Sequence, residues 1–205
     1  MKQKNNTTAI DPPKLFGLVL SGGTSTRMGR DKGLVNYHGV PQREYVYHLL
    51  MRFCDDVFLS VRQDQQSSVP NGFKTIVDQN NFNGPFNGIL SAHNGYKDKA
   101  WLVLACDLPL MDPEALRELM EQRSPDKYAT AFANHKTGQP EPLACIWEPT
   151  GLTQAVEYLK NSNCPSPKRF LMDADIALVQ PQNGQVLFNA NTVADYEFVQ
   201  NALNG

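Results

Sequence analysis

Residues 20 to 32 read Leu20-Ser21-Gly22-Gly23-Thr24-Ser25-Thr26-Arg27-Met28-Gly29-Arg30-Asp31-Lys32. Small residues leave backbone N–H groups open to close approach by phosphate oxygens. Arg27 and Lys32 then supply charge to neutralise an anion beyond them. The chemistry this combination offers is the holding of a polyphosphate. The segment fits neither common glycine-rich template. A P-loop requires Gly, four residues, then Gly-Lys-Ser/Thr, whereas Arg30 follows Gly29 here. A dinucleotide fingerprint requires alternating glycines, whereas Gly22 and Gly23 are adjacent. Taken alone, the glycine pair reads equally well as a turn.

Asp107 is the second residue with chemical promise. It stands in Ala105-Cys106-Asp107-Leu108-Pro109, where a long apolar run stops. Pro109 keeps Leu108 out of helical geometry and so fixes the exit of the chain. A carboxylate at such a point suits Mg²⁺, which takes oxygen ligands and often only one or two from protein. The plainer alternative is a helix cap or a salt-bridged acid. Asp78 ends the apolar run Phe73–Val77 in the same manner and also reads as a turn-starting residue. Gly84 and Gly88 flank Pro85-Phe86-Asn87 and permit close approach of backbone to a ligand.

The elements that must position these residues alternate between strand and helix. Leu15–Leu20, Val57–Val61, Phe73–Val77 and Trp101–Cys106 are apolar runs that predict strands. Trp101–Cys106 does not alternate, as expected of a parallel strand covered on both faces. Further strands are expected at Tyr128–Ala133 and Pro142–Trp147, with short ones at Ala177–Val179 and Val186–Phe188. Val46, Leu49, Leu50 and Phe53 predict a core-facing helix after Pro41. Asn80–Gly88 predicts a loop followed by a helix to about Tyr96. Asp112-Pro113 and Ser166-Pro167 predict helix starts, and Thr150–Lys160 a helix between them. A capping box at Thr192–Asp195 predicts a last helix with Tyr196, Val199 and Leu203 inward. The pattern specifies a three-layer α/β fold with a mostly parallel central sheet, in which ligands bind beyond the carboxyl ends of strands.

The string L-x-G-G-x-S-x-R-M-G-x-D-K resembles the opening signature of the molybdenum cofactor guanylyltransferases, a branch of the nucleotidyltransferases with a Rossmann-like domain. The resemblance extends from Leu15 to Leu203. It implies Mg²⁺-dependent transfer of GMP from GTP to molybdopterin or Mo-molybdopterin, with release of pyrophosphate. It places Leu20, Ser21 and Gly22 on the nucleoside, Gly23 among the nucleotide-binding residues, and Arg27 and Lys32 on the phosphates as catalytic cations. Cys106-Asp107-Leu108-Pro109 matches the family's C-D-x-P metal motif. Asp78 falls beside the sugar or base, and Gly84–Gly88 matches a G-P-x-x-G stretch, with Phe86-Asn87 where a small or aliphatic residue is usual. Phe188–Thr192 resembles an N-x-N-T element, so Asn189 or Asn191 is expected to share the metal with Asp107. Arg62 stands where a polar nucleotide contact is common.

Glu141, in Gln139–Ala144, stands where the family turns toward its acceptor, and reads either as a partner for a pterin amide edge or as a solvated acid. Lys168 and Arg169 read either as an acceptor phosphate contact or as a solvated basic turn. The nearest rival activity is cytidylyl transfer to the same pterin. Those relatives open with Ala-Ala-Gly where Ser21-Gly22-Gly23 stands, which favours guanine. Other nucleotidylyltransferases, and a non-catalytic nucleotide-binding regulator, are more distant alternatives.

With 205 residues, 41% of them apolar, the chain supports one domain with a sizeable core. We expect residues 1–14 as a disordered lead-in without the apolar segment of a secretory signal, and 15–205 as a single nucleotidyltransferase domain. A net charge of −2 argues against a general nucleic-acid partner, and no apolar stretch approaches the roughly 18 residues of a membrane span. The four cysteines form no C-x-x-C pair, which suits free thiols in a reducing cytoplasm. Transient contact with molybdenum cofactor delivery proteins follows from the resemblance.

Overall fold

The computed structural model describes residues 11–21, 31–82, 84–161 and 166–205. Among these residues seven strands form one sheet: β1 (Leu15–Leu20), β2 (Asp56–Val61), β3 (Thr75–Val77), β4 (Ala100–Ala105), β5 (Ala129–Ala133), β6 (Pro140–Trp147) and β7 (Ile176–Val179). Their order is β3-β2-β1-β4-β6-β5-β7. Of these strands only β6 runs against the others, pairing antiparallel with β4 and β5. The described helices that cover the sheet are α1 (Gln42–Leu50), α2 (Pro85–Gly95), α3 (Pro113–Glu121), α4 (Pro149–Asn161), α5 (Pro167–Asp173) and α6 (Val193–Asn204).

The continuous apolar runs are explained by a core on each face of the sheet. Along β4, Ala100, Leu102 and Leu104 point into one core with α1 and α3. Trp101 and Val103 point into the other with α2, α4 and α5. Alternate side chains therefore enter opposite cores, so a strand buried on both faces shows no polar alternation. Gly17 lets α1 lie close to β1, since a Cβ there would stand 3.1 Å from both Leu50 and Val57. Among the described residues no helix is long and apolar enough to cross a membrane.

Most local expectations are met. Asp112 caps α3 by accepting from Ala115 N, and Thr192 with Asp195 forms the capping box of α6. Three are corrected. Val186–Phe188 is not a strand: Gly184–Leu187 is a 3-10 turn whose start is capped by Asn183. The loop from Asn80 ends earlier than expected, because α2 begins at Pro85, with Gly84 at φ 61° turning the chain into it. Leu203 is 40% exposed rather than inward, while Val199 is fully buried against Tyr37 and Ala190. Before β1, Pro13 O accepts from Arg123, and Lys14 O accepts from Ala100 N.

Candidate active site

The sheet order reverses between β1 and β4, because β1 is flanked in space by β2 on one side and β4 on the other. The carboxyl ends of parallel strands at such a reversal leave a crevice. A cavity of about 480 Å³ opens there. Leu20 and Ser21 enter it from the end of β1, Ser60 and Arg62 from β2, Asp78 from β3 and Asp107 from β4. The start of α2, with Gly84, Asn87 and Gly88, closes one side.

One end of the cavity is ionic. Lys32 lies in a short 3-10 turn whose cap, Asp31, accepts from Gly33 N at 2.9 Å. Its Nζ stands 3.4 Å from Asp107 Oδ2 and also donates to Asn191 Oδ1. Both Lys32 and Asp107 are about four-fifths shielded, so this pair is less screened than a surface one. The main-chain carbonyl of Asp107 accepts from Ala190 N at 2.9 Å, which holds the 188–192 segment against the strand end. The second carboxylate oxygen, Asp107 Oδ1, is buried without a hydrogen-bond partner among the described residues. An orphaned carboxylate oxygen is costly in a folded protein and calls for a cation or a donor. This donor set fits a hard divalent ion that takes one protein carboxylate and completes its shell with water and ligand phosphates.

The other end is a relay of hydrogen bonds between strand ends. Ser21 Oγ donates to Ser60 O at 2.8 Å, and Ser60 Oγ donates to Asp78 Oδ1 at 2.7 Å. Burial pushes the Asp78 carboxyl above its ordinary range, opposed by its bonds with Ser60 and Asn87 and by the charge of Arg62. Gly88 makes the relay possible, since a Cβ there would stand 2.4 Å from Ser60 Oγ and 2.8 Å from Leu20 Cδ2. Gly88→Ala should therefore destabilise the protein despite lying in a helix. Alanine gains about 1 kcal/mol of helix propensity, while overpacking costs about 1–3 kcal/mol. We expect Tm to fall by about 2–4 °C, the response of a chain this size to 1 kcal/mol, and nucleotide affinity to fall as Ser60 leaves Asp78. A higher Tm with unchanged affinity would show that the contact yields freely.

Of the residues selected from sequence, Leu20, Ser21, Lys32, Arg62, Asp78, Gly84, Gly88 and Asp107 line one cavity. Gly22, Gly23 and Arg27 lie outside the described residues. Asn191 reaches the ionic end through Lys32, whereas Asn189 is exposed and donates to Leu187 O at 3.4 Å. Arg62 also pairs with Asp64 at 3.1 Å. Glu141 accepts from Leu143 N at 3.2 Å, and burial raises its carboxyl, with Asp107 raising it further and Lys168 opposing. Arg169 is exposed and pairs with Asp173 at 3.2 Å, away from the cavity lining. Sequence reasoning did not select Ser60 or Asn87. Ser60 carried a signal, a hydroxyl in an otherwise apolar strand. Asn87 carried only its place between two glycines.

The family model described as the MobA-like NTP transferase domain matches residues 17–190. A molybdenum cofactor biosynthesis bifunctional protein of Synechocystis is 39% identical over 91% of this chain, which spans 54% of that protein's length. A molybdenum cofactor guanylyltransferase of Pseudomonas fluorescens is 32% identical over 85% of this chain and 88% of its own. Among solved structures, molybdopterin-guanine dinucleotide biosynthesis protein A of Archaeoglobus fulgidus superposes with a TM-score of 0.76. It is 20% identical and covers 92% of this chain and 98% of that one, a likeness of fold.

Proposed function

Because the chain belongs to the MobA-like NTP transferase family, we propose that it transfers GMP from GTP to molybdopterin or Mo-molybdopterin, releasing pyrophosphate in molybdenum cofactor biosynthesis. The observation that carries a transferase rather than a binding protein is the meeting of Lys32 with Asp107 at a strand-end cavity, with Asp107 Oδ1 left unpartnered among the described residues. The acceptor and the base are supported by the names borne by relatives such as the guanylyltransferase of Pseudomonas fluorescens. Consumption of GTP accords with action in the cytoplasm.

Asp107 would hold Mg²⁺ through its unpartnered oxygen, with Asn191, which shares Lys32 with it, as the second candidate ligand. When bound, the ion supplies charge to the phosphate oxygens and orients them for in-line displacement. Lys32, now shared between Asp107 and Asn191, would turn to the triphosphate and, with Arg27, neutralise the leaving pyrophosphate. The acceptor phosphate is already ionised at neutral pH, so no side chain need remove a proton from it. Positioning and charge stabilisation are then the protein's main contributions. Ser21, Ser60 and Asp78 would hold the nucleoside end. Glu141 lies within electrostatic reach of both Asp107 and Lys168, which would suit Glu141 and Lys168 to the acceptor.

A thermal-shift panel of GTP, CTP, ATP and UTP with Mg²⁺ tests the base. A nucleotide at one hundred times its Kd adds about 2.7 kcal/mol of stability, so GTP should raise Tm most. Preferential stabilisation by CTP would favour the cytidylyl rival. Tight GTP binding without pyrophosphate release in the presence of molybdopterin would favour a regulator.

A further inference from the structure

The turn that carries Lys32 is tied to the end of β2 by one side chain. Asp31, which caps that turn, uses both of its carboxylate oxygens. Oδ1 accepts from Gly33 N at 2.9 Å, and Oδ2 accepts from Gln65 Nε2 at 2.9 Å. Gln65 belongs to the 3-10 segment Gln63–Ser68 that follows β2. The other end of its amide, Oε1, accepts from Arg62 N at 3.1 Å. A carboxylate only accepts and a backbone N–H only donates, so these two partners fix which way the amide points. Gln65 therefore bridges the residue before Lys32 to Arg62, and Lys32 and Arg62 both line the cavity. The far end of the segment is held as well. Ser68 Oγ donates to Gln65 O at 2.7 Å, and Ser68 O accepts from Arg43 Nη2 at 2.6 Å. Arg43 is buried on α1, and its Cβ lies 3.4 Å from where a Cβ on Gly33 would stand. The Lys32 turn and the segment are thus braced against the same arginine.

We propose that Gln65 is a positioning residue that acts through Asp31 to hold the Lys32 ammonium where the triphosphate binds. This rests on the assignment of Lys32 to the leaving phosphates and extends it to the contact that sets its place. A lysine stem is flexible, so the turn beneath it decides where its charge can reach. Charge stabilisation of a transition state depends on donors that are already in place. Without the Gln65 amide, Asp31 keeps only Gly33 N of these two partners, and the turn loses its tie to β2. Substrate binding draws on contacts along the whole cavity, whereas departure of pyrophosphate draws on Lys32. The loss should therefore fall on kcat more than on KM.

The test measures kcat and KM for pyrophosphate release by the full chain from GTP, Mg²⁺ and molybdopterin, together with Tm. Gln65→Leu keeps the bulk and deletes both amide contacts. Its kcat should fall about tenfold to a hundredfold, the range for a hydrogen bond to a charged group, with KM for GTP within about threefold. Gln65 is only partly buried, so Tm should stay within about 4 °C of wild type. A reversed pair separates positioning from bracing and serves also if Gln65→Leu does not fold. Asp31→Asn keeps an oxygen for Gly33 N but turns an N–H₂ toward that of Gln65. Gln65→Glu keeps an oxygen for Arg62 N but sets two carboxylates face to face. Each alone should lower kcat at least as much as Gln65→Leu. In the double variant amide and carboxylate exchange places at unchanged net charge, and kcat should return to within about threefold of wild type.

If Lys32→Met abolishes turnover while Gln65→Leu keeps the wild-type kcat, Lys32 holds its place without Gln65 and the proposal is overturned. A double variant that regains Tm but not kcat would also overturn it, since the two residues would then only brace the fold. Unchanged turnover in Lys32→Met would instead overturn the assignment of Lys32 to the phosphates.

Discussion

Asp107→Ala should lower the rate of pyrophosphate release by about a thousandfold, equivalent to about 4 kcal/mol of barrier, with little change in Tm. Two features make the effect catalytic and not structural. The contact that ties Asp107 to the 188–192 segment runs through its main-chain carbonyl, which alanine keeps. The side chain carries a buried oxygen with no partner among the described residues, so its removal deletes an unmet polar group along with the Lys32 ion pair. Lys32 would retain Asn191. Lys32→Met should lose activity on a similar scale, but the two variants should part company in metal binding. Without nucleotide, the Lys32 ammonium lies between Asp107 and Asn191, where it competes with any cation that Asp107 attracts. Mn²⁺ binding to the nucleotide-free protein should therefore weaken in Asp107→Ala and strengthen in Lys32→Met. Steady-state turnover, melting curves and Mn²⁺ titration check the set. Asp107→Ala turnover within tenfold of wild type, or weaker Mn²⁺ binding in Lys32→Met, would contradict the roles of Asp107 as metal ligand and Lys32 as its competitor.

The legible part of this site is the part written as strand ends. β1 and β4 are apolar runs that stop abruptly, and the residue after such a stop in a parallel sheet faces the crevice. That locates Ser21 and Asp107, and Asp78 after β3 obeys the same rule. Ser60 and Asn87 were not legible because their importance lies in what they meet. Ser60 matters through Asp78, eighteen residues away, and Asn87 through Phe82 and Asn80. No spacing within one element shows such a meeting. The misplaced strand at Val186–Phe188 has a different cause. Val186 and Leu187 are buried, so the run is apolar as a strand would be. A short apolar run does not distinguish extended from turned backbone, and here Asn183 caps a 3-10 turn. Leu203 fell on the expected stripe of α6, but only Val199 on that stripe is fully covered.

The largest effect on stability is expected far from the cavity, at Arg123. Its Nε and Nη2 meet the two carboxylate oxygens of Glu148 at 2.7 and 3.0 Å. Glu148 is completely buried and Arg123 only 11% exposed. Glu148 follows β6, whose end lies beside the start of β4, so the pair sits at the opposite end of the strands from Asp107. It joins three pieces of chain: the residue pair itself links the end of α3 to the start of α4, and Arg123 also donates to Pro13 O. Arg123→Met leaves a carboxylate buried without its countercharge, which costs about 3–5 kcal/mol. For a chain of this length that corresponds to a fall in Tm of roughly 10 °C. The affinity for GTP should stay within about twofold, since the pair stands apart from the residues that line the cavity. Arg123→Met combined with Glu148→Leu should recover most of the loss, because apolar side chains of similar bulk can replace a buried ion pair at little cost. A single variant as stable as wild type would show that water reaches Glu148. A double variant no better than the single would show that the pair, and not the relief of a buried charge, holds these segments together.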